Sequence, residues 1–190
     1  MSIMDLKTRY SINYPMCFDC VARERLVLGY CKMIYLYFTL PCFNSLCKFP
    51  KAELILFQYP CASRERVFSN EDDSKKDCYF LYPLLKPLNI FYRLAPTEID
   101  RKHCVSFQVS RMQSHVTIDI TKIFQDWMNG KLANSGLLLI APPTSKEVAF
   151  ASGQFDLPWM RPTIRLDCDF KGMLPCFCSA PCEVKVAGVP

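Results

Sequence analysis

Cysteine is the residue with the clearest capacity for chemistry in this chain, which carries twelve of them in 190 residues. They are unevenly placed. Cys17 and Cys20 lie near the start, and Cys176, Cys178 and Cys182 lie near the end. Three kinds of chemistry are open to them. Cys17-x-x-Cys20 has the spacing of half a zinc knuckle, and Cys176-x-Cys178-x3-Cys182 could complete a tetrahedral thiolate site. That second half, however, lacks the usual pair around a turn glycine and leaves one thiol over. Cysteines can also pack, reduced and inert, as small hydrophobes. Disulfides suit the distribution better, because a segment outside a folded core gains nothing from burying a thiol. Pairing within the chain would staple the ends down, and pairing between chains would join copies; spacing alone does not choose. No metal and no other cofactor is expected.

The two histidines, His103 and His115, lie in or beside strand-like segments with no nucleophile motif around them, so no catalytic constellation is expected. Neither GxGxxG nor GxxxxGK[ST] occurs among the six glycines, which removes the usual phosphate-cradling loops. The formal charge of +5 comes from 23 basic and 18 acidic residues mixed along the chain. The local run Glu71 to Lys76 cancels itself, so nothing marks a track for a nucleic-acid backbone.

Apolar residues make up 51% of the chain and aromatics 13%, which places it among folded proteins rather than disordered ones. The apolar stretch Met33 to Cys47 is broken by Pro41 and Asn44 and falls short of the roughly twenty residues a spanning helix needs. No membrane anchor is expected. Met1 to Tyr14 places charges where a secretory signal has its apolar region, so synthesis in the cytoplasm is expected. Twelve cysteines fit a reducing compartment poorly. Release to an oxidising exterior, on a cell or spore surface, reconciles the two.

Fourteen prolines and many short apolar runs predict strands joined by stiff turns. The strand candidates are Arg25 to Cys31, Ile34 to Leu40, Ala52 to Tyr59, Cys104 to Val109, Val116 to Ile120, Gly136 to Ala141, Glu147 to Ala151 and Pro162 to Cys168. They are rich in β-branched and aromatic residues. Alternation is clearest over Ala52 to Phe57 and Thr163 to Asp167, so two packed sheets are predicted. Cys78 to Leu94, with Pro83 and Pro87, is harder to place and predicts a strand at each end of an irregular middle. From Ile120 the period changes: Ile123, Phe124 and Trp127 share one face of a short helix ending near Met128. Asp119 or Thr121 can cap its start and Asn129-Gly130 can stop it. So short a helix needs tertiary support, which makes Trp127 its anchor in the core rather than a surface platform for sugars. Three zones result: an N-terminal cysteine-containing extension at 1–24, a strand-rich domain at 25–169 and a cysteine-rich tail at 170–190.

The segments Ile118 to Gly130, Asn134 to Leu139, Phe150-Ala151-Ser152 and Arg161 to Leu166 together resemble, in order and spacing, the C-terminal half of a DNRLRE domain. Tyr35 to Leu40 followed by Lys51 to Phe57 resembles the paired strands that open it. The resemblance covers residues 25–169. It implies an all-β, jelly-roll-like β-sandwich with one short helix, of a kind found in bacterial and archaeal extracellular or surface proteins. Some relatives are carbohydrate-binding modules, and no catalytic residues are implied. This chain carries twelve cysteines, where the usual members carry few, and it is expected to differ from them also in having no signal and in standing alone. In those respects it is similar to small stand-alone copies from spore-forming anaerobes.

The function expected is therefore structural and non-enzymatic. Copies of the chain would assemble with one another into a disulfide-crosslinked fibre or coat, with Cys17, Cys20, Cys176, Cys178 and Cys182 as the linking residues. The alternative is a carbohydrate-binding module, for which Tyr35, Tyr37, Tyr79, Tyr82, Phe91 and Tyr92 are the candidate stacking residues.

Overall fold

The structure, a computed structural model, describes residues 2–14, 24–41, 48–59, 77–89, 98–110 and 113–169. These residues are mostly strands, with one short α-helix. The strands are β1 (Ser2–Tyr14), β2 (Arg25–Leu28), β3 (Met33–Phe38), β4 (Lys48–Phe57), β5 (Asp77–Pro83), β6 (Val105–Val109), β7 (His115–Asp119), β8 (Leu137–Ile140), β9 (Val148–Ala151) and β10 (Thr163–Asp169), and the helix is α1 (Thr121–Met128). Eight strands form one antiparallel sheet in the order β6-β5-β8-β3-β1-β10-β4-β7, and β2 pairs with β9 in a small second sheet. The sheet curls enough that β6 and β7, at opposite ends of that order, have Cα atoms within 8 Å of one another.

Alternation decides which side chains enter the curl. Ala52, Leu54 and Leu56 on β4, Val116 and Ile118 on β7, and Ile164, Leu166 and Cys168 on β10 are buried in one core. Ile34, Leu36 and Phe38 on β3, Tyr79 and Leu81 on β5, and Leu137 and Leu139 on β8 join it from the other half of the sheet. The intervening residues of that half point outward. Tyr35 and Leu138 form a second buried cluster with Leu84, flanked by Ile12, Leu88 and Ile99. The chain after β5 thus folds over the outer face, and a bridge between Leu84 and Ile99 holds it there.

Strand β1 joins the two halves. Its residues 2–7 pair with β10 and its residues 8–14 with β3, and a bulge shifts the register between Thr8 and Tyr10. An extra residue exchanges the faces that odd and even positions occupy. Met4 and Leu6 pack against the inner core, while beyond the bulge Ile12 joins the outer cluster. The inward positions are then polar and are used. Ser11 Oγ accepts from the Gly153 amide at 2.7 Å. Asn13 lies against β2, accepting from the Val27 amide at 2.7 Å and donating to the Arg25 carbonyl at 3.0 Å. One side-chain amide thus replaces a strand partner for β2.

Helix α1 is built as its residue types require. Asp119 Oδ1 accepts from the Thr121 amide at 2.8 Å, and Thr121 Oγ1 accepts from the Ala52 amide at 3.0 Å, tying the first turn to β4. Gly130 takes φ +66° just past the end, and the amides of Lys131 and Leu132 donate to the Asp126 carbonyl. Ile123, Phe124 and Trp127 enter the core. Phe124 stands between Phe49 and Trp127 in edge-to-face contacts, with centroids at 5.2 and 6.4 Å.

Three expectations differ from the structure. The sheet begins at Ser2 rather than at residue 25, because Met4 to Tyr14 has an apolar residue at almost every second place and lies between β3 and β10. The first predicted strand stops at Leu28, because Tyr30 and Cys31 form a hairpin turn closed by paired bonds between Gly29 and Lys32. Strand β4 starts at Lys48, four residues before Ala52, and carries Pro50. The predicted strand near Leu94 lies outside the described residues.

Candidate functional site

Cys17, Cys20, Cys176, Cys178 and Cys182 all lie outside the described residues. Four other cysteines are described. Cys31, Cys78 and Cys104 are exposed thiols, and Cys168 is buried in the core. No disulfide occurs among the described residues, and no group of three or more His, Cys, Asp or Glu side chains among them could hold a metal ion.

The sheet fixes where the exposed thiols stand. Cys31 is the second residue of the β2–β3 turn and takes φ +60°, a left-handed conformation that costs a non-glycine residue about 1–2 kcal/mol. Cys78 opens β5 opposite Gln108. Cys104 immediately precedes β6 and, continuing the register from the Leu81–Val105 pair, stands opposite Tyr82. Burial first, and then its hydrogen bond with Cys104, push the Tyr82 hydroxyl above the ordinary phenol pKa. Strand spacing separates Cys78 from Cys104 by about 13 Å along the ladder, well beyond the roughly 7 Å Cα separation a disulfide spans. Cys168 pairs with Ser2 at one end of β1, while Met33, two residues from Cys31, pairs with Tyr14 at the other.

Beside Cys104 lies a cluster of charges. Its members are Asp100 and His103 from the loop before β6, and Lys122 and Asp126 from α1. His103 Nδ1 lies 2.6 Å from Asp100 Oδ2, and Nε2 lies 2.9 Å from Asp126 Oδ2. Lys122 Nζ donates to the second Asp126 oxygen at 3.0 Å. Asp126 is only 4% exposed, so partners are a requirement of its burial. The hydrogen bond from Lys122 is the main cause holding the Asp126 carboxyl below its usual range; burial opposes it, and the Lys122 charge and His103 add to it. For Asp100, burial is the largest effect and raises the pKa, but the bonds from His103 and the Lys102 amide together outweigh it and the net shift is downward. Both ring nitrogens of His103 face carboxylates, so both bonds form together only when both nitrogens carry protons. As placed, the imidazole spans the two carboxylates. It acts as a brace from the loop bearing Cys104 to α1.

The predicted stacking residues divide by strand parity. Tyr79 is 1% exposed in the core and donates to the Lys146 carbonyl at 2.7 Å. Tyr35 is buried in the outer cluster, where burial pushes its hydroxyl pKa up to about 12. Tyr37 and Tyr82 are half-buried, and Phe91 and Tyr92 lie outside the described residues. Tyr37 has an exposed aromatic partner that is not among the predicted stacking residues. Tyr10, 50% exposed, faces Tyr37 across β1 and β3 with centroids 6.0 Å apart, and the Arg9 guanidinium lies 5.3 Å from the Tyr10 centroid. The signal for it was the apolar alternation from Met4 to Tyr14. The brace around His103 had none, because its partners are 3 and 23 residues away in sequence and meet only through the fold. No helix among the described residues is long and apolar enough to cross a membrane. The chain matches no protein-family model and no curated protein.

Proposed function

We propose that this is a non-catalytic structural protein of the DNRLRE type, whose curled sheet is a two-sheet, jelly-roll-like sandwich and whose copies join through disulfides into an extracellular or surface fibre or coat. The observation that carries this reading is the exposure of Cys31, Cys78 and Cys104. Unpaired cysteine is among the residue types most often buried, so three thiols turned to solvent from one sheet are poorly explained as packing. Cys17 and Cys20, between β1 and β2 in sequence, and Cys176, Cys178 and Cys182, after β10, add further linking groups. Electrophoresis of oxidised material with and without reductant tests the reading. A ladder of multimers that survives boiling in detergent and collapses on reduction is expected, and a single monomer band under both conditions would overturn it.

The Tyr10–Tyr37 pair favours one second reading, a carbohydrate-binding surface, since an exposed ring beside a half-buried one, with a neighbouring guanidinium, suits stacking on a sugar. Retention on insoluble polysaccharide that is lost in Tyr10→Ala would support it.

A further inference from the structure

The exposed thiols among the described residues fall at two opposite ends of one half of the sheet. Leu81 pairs with Leu139, and Leu139 with Ile34. Counting back three residues along β5 and β3 brings Cys78 and Cys31 level with one another, on either side of the chain that leaves β8. The loop at 142–147 occupies this end. Ser145 Oγ donates to the Cys78 carbonyl at 3.2 Å, the Lys146 amide donates to Asp77, and Glu147 pairs with Lys32 at 2.6 Å. The same register places Tyr82 level with Leu138 and Tyr35, and so puts Cys104 at the other end of β5, four residues from the Cys78 level. The two ends are held differently. Cys104 has the Tyr82 hydroxyl beside it and follows directly on the His103 brace, whereas Cys31 rides on a tight two-residue turn.

Resting on the reading of a disulfide-linked assembly, we propose that the sheet is itself a two-ended crosslinker, joined to one copy through Cys104 and to a different copy through Cys31 or Cys78. Cys104 stands too far from either of the others for an intramolecular bond, by the register above. Junctions made at two ends of one body to two different copies carry the assembly beyond a dimer, as a ring where the rotation closes and an open array where it does not. The chemistry is thiol–disulfide exchange with a low-molecular-weight disulfide as oxidant. The Cys104 thiolate attacks the small disulfide, forming a mixed disulfide and releasing one small thiolate. A thiolate of Cys31 or Cys78 on the next copy attacks the cysteine sulfur of that mixed disulfide, which releases the second small thiolate. One S–S bond between copies is made and one S–S bond in the oxidant is lost, with the two electrons carried away as two small thiols.

The test uses the full chain. Equal amounts of reduced natural-abundance and 15N-labelled protein are mixed, oxidised with oxidised glutathione and digested without reduction, and linked peptides are identified by mass spectrometry. Mixed-label links are expected at Cys104 and also at Cys31 or Cys78. Cys104 found only reduced, only in same-label links, or as the only one of the two ends linked between copies would overturn the proposal. A Cys31→Ser, Cys78→Ser, Cys104→Ser variant supplies the second readout, since its exposed substitutions leave the core untouched. Loss of multimers larger than dimer is expected. A wild-type ladder that persists unchanged in the variant would place all links in the other cysteines, overturning the two-ended sheet while leaving the assembly reading intact. Absence of any ladder from the wild-type chain would remove both.

Discussion

Trp127 joins the helix to the core, and its chemistry there is uneven. The side chain is 6% exposed and touches Phe124 edge to face, yet its indole N–H is buried without a hydrogen-bond partner. Truncation to Ala removes the largest apolar contact of α1 and leaves a cavity, so a loss of about 3–5 kcal/mol is expected from urea unfolding. Trp127→Phe keeps most of the packing and deletes the unpaired donor, so it should cost well under half as much. Equal losses in the two variants would show that the N–H has a partner after all. Gly136 makes a similar case for shape. It takes φ +99°, and a Cβ there would lie 2.4 Å from Tyr35 Cε2. The Tyr35 ring has little freedom to retreat, because its hydroxyl donates to the Ser135 carbonyl at 3.1 Å. Gly136→Ala combines a backbone penalty of about 1–2 kcal/mol with overpacking of about 1–3 kcal/mol, and thermal melting should show the sum. The helical spacing of Ile123, Phe124 and Trp127 is visible in sequence; the demand for glycine at 136 depends on Tyr35, a hundred residues earlier, and is not.

At the scale of elements, what could be read locally was the existence of strands and the helix, and what could not was anything set by a distant partner. Helix α1 is legible because its start, apolar face and stop lie within a dozen residues. Strand β1 alternates just as clearly, but its place in the sheet is set by β10 and β3, which lie far along the chain from it. Asn13 shows why such a segment resists sequence reading. It looks like a loop residue, yet it bonds to two backbone groups of β2. Asn13→Ala should cost about 1 kcal/mol, at the low end of the penalty for orphaning a backbone group because these bonds are only part-buried, and hydrogen exchange should report faster opening of Val27 than of Ile164. The brace between α1 and the loop before β6 carries a pH dependence of defined sign. Asp100, Asp119 and Asp126 all have depressed pKa values in the fold. Their contribution to stability is therefore complete above the ordinary carboxylate value of about 4 and is lost as pH falls through the lower folded values. Melting temperature should fall steeply on acidification below that point, and Asp126→Asn should flatten the descent. A descent identical in wild type and variant would assign the acid sensitivity to other groups.

For the whole molecule, the question is whether cysteine chemistry holds the fold or only joins the folds. Buried side chains from both halves of the eight-stranded sheet, the two-stranded sheet and α1 form one continuous core, and a core in a chain of this length can sustain a folded state without crosslinks. The longest-range tie, between β1 and β10, is made by main-chain pairing and by side chains such as Lys7 Nζ, which donates to Thr163 Oγ1 at 2.8 Å, and by the Arg165–Asp5 ion pair. None of these depends on redox state, and Cys168, the one described cysteine inside the core, contributes its volume and a weak bond to the Leu166 carbonyl at 3.7 Å. On the proposed reading of a disulfide-linked assembly, folding and joining are separable. Adding reductant to an oxidised sample should leave the β-dominated circular dichroism and the melting temperature of the sheet nearly unchanged while particle size by light scattering falls to that of a single chain. A disulfide closing a long loop within the chain would behave otherwise, because its loss typically costs about 2–5 kcal/mol and would lower the melting temperature together with the size. Parallel loss of both signals would thus show that the cysteines staple the fold; loss of size alone would confine their role to the junctions between copies.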